Sequence, residues 1–182
     1  MDLREYQRRA KKTLLVSKND NAEIQALLHK LDLSHMAMGM CSELSELTDA
    51  YATKDMVNIS EELADIMWYV AGYCTLRKLD LATVTATPIQ ERKTIDWLIH
   101  ELTDVVKKYI AYDRAIPAKE TALLAEIVKT IYNSCKRVDL DFFQILENNI
   151  EKLEARYKES FTKDEANNRN LEAEKVKLSK NI

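Results

Sequence analysis

Two stretches decide the fold of this chain: Gly39-Met40-Cys41-Ser42-Glu43-Leu44-Ser45-Glu46-Leu47-Thr48-Asp49-Ala50-Tyr51 and Glu61-Glu62-Leu63-Ala64-Asp65-Ile66-Met67-Trp68-Tyr69. In both, apolar residues return at intervals of three and four, the period of an α-helix. Each also carries a pair of carboxylates at i and i+3, Glu43/Glu46 and Glu62/Asp65, so each pair shares a helix face. Like charges at that spacing cost an isolated helix a few tenths of a kcal/mol. Leu44, Leu47 and Ala50 flank Glu46, while Leu63, Ile66 and Met67 flank Asp65, so the carboxylates sit beside the apolar stripe. Two such pairs on consecutive helices call for a cation or for plain solvent.

The same period extends outward through the chain. It predicts helices near 3–16, 22–53, 59–79, 88–114, 118–137, 140–157 and 163–175, with a break in the second near Leu33-Ser34. Start signals punctuate them. Asp20-Asn21-Ala22-Glu23 and Asn58-Ile59-Ser60-Glu61 read as caps with Glu at N3, Thr87-Pro88 places proline at a first helical position, and Thr162-Lys163-Asp164-Glu165 is a capping box. Residues 175–182 are polar and are expected to fray. The chain has only two glycines and two prolines in 182 residues, which argues against a turn-rich β-sandwich or barrel. The expected architecture is therefore all-α, one helical bundle over 1–182, without a Gly-, Pro- or Ser-rich linker. An internal echo accompanies it. Ser42-Glu43-Leu44-Ser45-Glu46 resembles His100-Glu101-Leu102-Thr103-Asp104, and Arg77-Lys78-Leu79-Asp80-Leu81 resembles Lys136-Arg137-Val138-Asp139-Leu140, at offsets of 58 and 59. The second half reads as a degenerate copy of a helix pair.

Composition removes several functions. Gly39 and Gly72 lie 33 residues apart, so no glycine-rich phosphate loop exists, and any phosphate must be handled by side chains, metal or helix ends. With 27 basic against 30 acidic residues, the formal charge of −3 offers no global field for nucleic acid. The longest apolar run, Ile66 to Cys74, is too short to cross a bilayer, and the charged N-terminus lacks the apolar segment of a secretory signal. Cys41, Cys74 and Cys135 are odd in number and far apart, which suits free thiols in a reducing cytoplasm.

Four oxygen ligands at the seam of two antiparallel helices suit Mg²⁺, a hard cation that keeps some of its waters. Glu61 is accounted for by its cap, which leaves Glu62 about 100° away to face inward. The same pairs also fit ordinary solvated carboxylates, since 30 acidic residues make a chance E-x-x-E common.

The ordered set of motifs resembles the MazG-like all-α nucleoside triphosphate pyrophosphohydrolases. E-x-x-E, a gap of fifteen residues and E-x-x-D match that family's signature, and Asn58-Ile59-Ser60-Glu61-Glu62-Leu63-Ala64-Asp65 resembles its N-L-x-E-E-L-G-D, with Ala64 in place of Gly. Trp68-Tyr69 matches its W-Y, and Asn149-Ile150-Glu151-Lys152-Leu153-Glu154-Ala155-Arg156-Tyr157 resembles its N-x-x-K-L-x-x-R-[HY]. Phe161 and Asn167 to Glu174 continue like phage and bacterial members.

The resemblance implies a four-helix core with added helices. It implies Mg²⁺, with Mn²⁺ as a substitute, held by Glu43, Glu46, Glu62 and Asp65, and hydrolysis of a nucleoside triphosphate to monophosphate and pyrophosphate. Lys152 and Arg156 match the family's phosphate-contacting pair, and their i, i+4 spacing puts them on one helix face, with Asn149 one turn earlier. Either Glu46 or Glu43 would take the proton of the attacking water, Glu46 being preferred for its mid-helix place. Trp68 suits stacking on a base or a place in the core, and His35 suits base recognition or a helix start. Asp49 extends the acidic face. A homo-oligomer, dimer or tetramer, is implied as well. A narrow dUTP or dCTP pyrophosphatase and a non-catalytic helical nucleotide-binding or scaffold protein remain as alternatives.

Overall fold

The apolar period and the scarcity of breakers produce helices almost throughout. The computed structural model describes residues 1–89, 93–157, 161–168 and 170–179, and among these there are nine helices and no strand. They are α1 (Leu3–Thr13), α2 (Ala22–Thr53), α3 (Met56–Leu76), α4 (Leu81–Thr85), α5 (Ile95–Tyr112), α6 (Glu120–Arg137), α7 (Phe142–Arg156), α8 (Lys163–Asn167) and α9 (Leu171–Leu178). Side chains of Asp2, Asn21, Asp55, Asp141, Thr162 and Asn170 accept backbone N–H groups at helix starts. Helices α2, α3, α6 and α5 form a ring, each packed on the next, and α1 and α7 lie against α3 on the outside. Leu33, Met36, Leu63, Met67, Leu98 and Leu124 are fully buried within this ring.

Several boundaries differ from expectation. Helix α2 runs unbroken through Leu33-Ser34, because Leu33 is fully buried and continues the apolar seam. Helix α3 starts at Met56 rather than Ile59. Its cap is Asp55, which accepts the Asn58 N–H, so Asn58 lies inside the helix and Glu61 is not a capping residue. The turn before it is closed by Lys54 at φ 57°, a left-handed position that no glycine announces. Pro88 does not open a helix: α4 ends at Thr85 and α5 begins at Ile95 behind Thr94, with Gln90 to Arg92 outside the described residues. The last expected helix is two, α8 and α9, and α9 continues to Leu178, whose side chain is buried, three residues beyond the point where fraying was expected to begin. Lys180 to Ile182 lie outside the described residues.

The two glycines do one job. A Cβ at Gly39 would overlap the Tyr69 ring, and one at Gly72 would meet Met36 Sδ, so the pair lets α2 and α3 approach closely along their length.

The backbone carries a repeated turn, in a register other than the one the motifs set. Lys78 and Asp139 both adopt left-handed φ, 57° and 59°, just after α3 and α6. Leu79 N–H then donates to the Cys74 carbonyl at 2.8 Å and Leu140 N–H to the Cys135 carbonyl at 2.9 Å. Asp80 and Asp141 precede the next helices, and α7 lies on α3 as α4 lies on α6. These turns repeat at an offset of 61 residues rather than 58 or 59, so the backbone pairs Lys78 with Asp139 and Asp80 with Asp141, where the motif pairing set Asp80 against Asp139.

Candidate metal centre and nucleotide cleft

Close α2–α3 packing brings the carboxylates together. Ligand oxygens of Glu43, Glu62 and Asp65 all lie within 4.8 Å of one another. Glu62 is 7% exposed, and Glu43 and Asp65 are half-buried. Burial first, then the neighbouring carboxylates, push the Glu43 carboxyl well above its usual range. Glu62 rises further, through burial and through the hydrogen bond its carboxyl shares with Glu43. A cluster that can ionise fully only against its own repulsion is the donor set a divalent cation fits: hard oxygens, preformed, on two rigid helices. Glu46, the fourth expected ligand, lines the same cleft but is exposed and stands outside the three-carboxylate cluster. One turn further, Asp49 is exposed.

Helix α7 supplies the support. Lys152 Nζ donates to Asp65 Oδ1 and Oδ2 at 2.8 and 2.6 Å and to Glu61 Oε1 at 3.1 Å, and its side chain is 2% exposed. Burial alone would push this ammonium down, but the charges of Asp65 and Glu61 hold it above its ordinary value. Its N–H donors thus meet carboxylates, where the sequence pattern sets it against phosphate. Asn149 is fully buried behind Asp65 and donates to Oδ1, while its own Oδ1 has no partner. It does not reach the cleft wall. Glu61, read from the sequence as a cap, is the residue that reasoning missed; its adjacency to Glu62 was the available signal.

The cleft itself measures about 260 Å³. The three clustered carboxylates, Glu46, Glu61 and Lys152 form its acidic floor, and Arg156 stands at its side. Trp68, Tyr69, Tyr157, Phe161 and His35 build aromatic walls, with Thr13 of α1 between them. Trp68 Nε1 donates to Thr13 Oγ1 at 3.0 Å, and the Trp68 ring meets Tyr69 edge-on at 5.0 Å. The His35 and Tyr69 rings also meet edge-on, at 5.8 Å. Burial and the Glu43 charge raise the Tyr69 hydroxyl, keeping it protonated. Tyr69, Tyr157 and Phe161 belong to the family-like motifs, which assign them no role, and Thr13 belongs to none.

The carboxylates of this cleft, with His35, Trp68 and Tyr69, come from a contiguous stretch of α2 and α3, and that stretch has a known counterpart. Residues 32–90 match the MazG nucleotide pyrophosphohydrolase domain. The MazG match contains Glu43, Glu46, Glu61, Glu62 and Asp65, and it supports a nucleotide pyrophosphohydrolase activity in general terms, with a nucleotide as substrate. Lys152 and Arg156 lie outside it. No curated protein and no solved structure matches the chain. Among the described residues, no helix is long and apolar enough to cross a membrane.

Proposed function

We propose that this chain hydrolyses a nucleoside triphosphate to the monophosphate and pyrophosphate, with Mg²⁺ held by Glu43, Glu62 and Asp65 and with Glu46 at its edge. The observation that carries the reading is the convergence of three carboxylates within 4.8 Å in a cleft with aromatic walls, inside the stretch that matches MazG. The bound cation would neutralise charge developing on the phosphate oxygens and lower the pKa of a coordinated water.

The chain's own residues do the rest. Lys152 and Asn149 fix Asp65 from behind, so the cluster is held before substrate arrives. Glu46, exposed and beside the cluster, accepts the proton of the attacking water. Arg156 binds the outer phosphates through its guanidinium, and Trp68 with His35 and Tyr69 receives the base. A homo-oligomer accords with the family resemblance, and sedimentation of the active species tests it.

Incubation with each ribo- and deoxynucleoside triphosphate, with Mg²⁺ or Mn²⁺ and with chelator, tests the chemistry. Monophosphate plus pyrophosphate, lost in Glu46→Gln, is the expected result, and the preferred base distinguishes a broad enzyme from a dUTP or dCTP pyrophosphatase. Diphosphate plus phosphate would overturn the cleavage position. A melting shift with a triphosphate analogue but no turnover would leave a nucleotide-binding protein.

A further inference from the structure

Arg156 lies between the cleft and α9, against Tyr157 and Glu174. Its Nε donates to Glu174 Oε1 at 3.0 Å and its Nη2 donates to Glu174 Oε2, so the carboxylate occupies one edge of the guanidinium. Glu174 belongs to α9, a helix outside the stretch that matches MazG, and its side chain is 4% exposed. That helix is tied to the site's own scaffold: Leu178 is buried, and its carbonyl accepts a hydrogen bond from Asn148 Nδ2 on α7 at 3.2 Å. Asn170 caps it by accepting the Ala173 N–H.

A guanidinium carries five N–H donors in a rigid plane. A carboxylate bound along the Nε–Nη2 edge uses two of them and fixes the plane, and Tyr157, also in hydrogen-bond reach of the guanidinium, lies against it with its ring centroid 5.8 Å from the guanidinium carbon. An arginine on a cleft wall without such a partner would sample many rotamers and lose that freedom on binding an anion. We infer that Glu174 is a positioning residue: it holds Arg156 so that the outer end of the guanidinium meets the terminal phosphates of the nucleotide. The C-terminal helix is then part of the substrate site although none of its residues lines the main cleft. This inference rests on the nucleotide reading above.

Titration of the full chain with Mg²⁺ and a non-hydrolysable nucleoside triphosphate analogue, run beside steady-state turnover, tests it. Glu174→Ala is expected to weaken analogue binding and raise KM roughly ten- to a hundredfold. kcat should change by less than about threefold, the pattern of lost ground-state positioning. Glu174→Gln keeps an acceptor for Nε and should recover part of the loss. In an Arg156→Ala background, Glu174→Ala should weaken binding no further, because its effect passes through the missing guanidinium. Wild-type affinity in a Glu174→Ala protein that merely melts earlier would overturn the inference and leave Glu174 a prop for α9. Tighter binding would overturn it in the other direction, making Glu174 a competitor for Arg156. A wild-type chain that binds no triphosphate would remove the nucleotide reading and this one together; binding that is blind to Glu174 would remove this one alone.

Discussion

The α2–α3 and α5–α6 hairpins share a pattern of helices, left-handed turns and carboxylates, yet they treat their charges in opposite ways. In the first, Glu43, Glu62 and Asp65 crowd together, and Lys152, bonded to Asp65 and to Glu61, is the one ammonium paired there among the described residues. In the second, every echoing carboxylate has its own cation. Glu101 pairs with Lys119, and Asp104 pairs with Lys107 and Lys108, which hold its carboxyl down to about 2. Glu120, 6% exposed, receives Arg77 at 2.9 and 3.1 Å and the Tyr73 hydroxyl at 3.0 Å. One fold thus carries a site short of positive charge and a counterpart already neutralised. A functional carboxylate cluster is recognised by its missing cations more than by its acidic residues.

The largest test of that contrast removes the one cation from the first hairpin. Lys152→Met should destabilise the metal-free protein by about 2–3 kcal/mol, since it strands the half-buried carboxylates of Asp65 and Glu61. Denaturant unfolding measures it, and Mg²⁺ should restore part of the loss. Glu62→Gln acts the other way. It mimics the protonated carboxyl, so without metal it should melt no lower than the wild type, while Mg²⁺ no longer raises its melting temperature and turnover falls at least about a hundredfold. A Glu62→Gln protein that keeps its turnover would show that the cluster is not the metal centre.

The next effect is a pH dependence. Glu43 and Glu62 bind protons more tightly folded than unfolded, so the metal-free protein should lose stability as pH rises from about 5 to about 9. Saturating Mg²⁺, which favours the ionised carboxylates, should flatten that slope, and thermal melts across the range read both curves. The smallest effect belongs to the second hairpin. Glu101→Gln, with its partner Lys119 half-exposed, should alter turnover less than about twofold and stability by less than about 1 kcal/mol. A large loss there would mean the second hairpin takes part in the chemistry.

Much of this was legible in the residues. The three-and-four period announced an all-helical chain, and the paired carboxylates announced the two helices that meet at the site, because both signals repeat within one or two turns. Turns closed by Lys54 and Asp113 in left-handed conformations were not legible, since neither is the glycine such positions favour. The α3 start slipped for the same reason, and with it the meaning of Glu61.

What the sequence alone determined, then, is helix identity and the set of carboxylates available. Which of them converge was decided by tertiary packing. The depth to which Gly39 admits Tyr69 and Gly72 admits Met36 sets how α2 and α3 meet, and that contact gathers Glu43, Glu62 and Asp65 while leaving Glu46 exposed outside the cluster. The partners that tune the site come from far along the chain: Lys152 lies 87 residues from Asp65, and Arg156 is held by Glu174 from another helix. Local periodicity specifies which face a residue occupies on its own helix. It carries no information about which distant helix will supply the opposite charge, and only burial of the apolar faces against one another makes that choice.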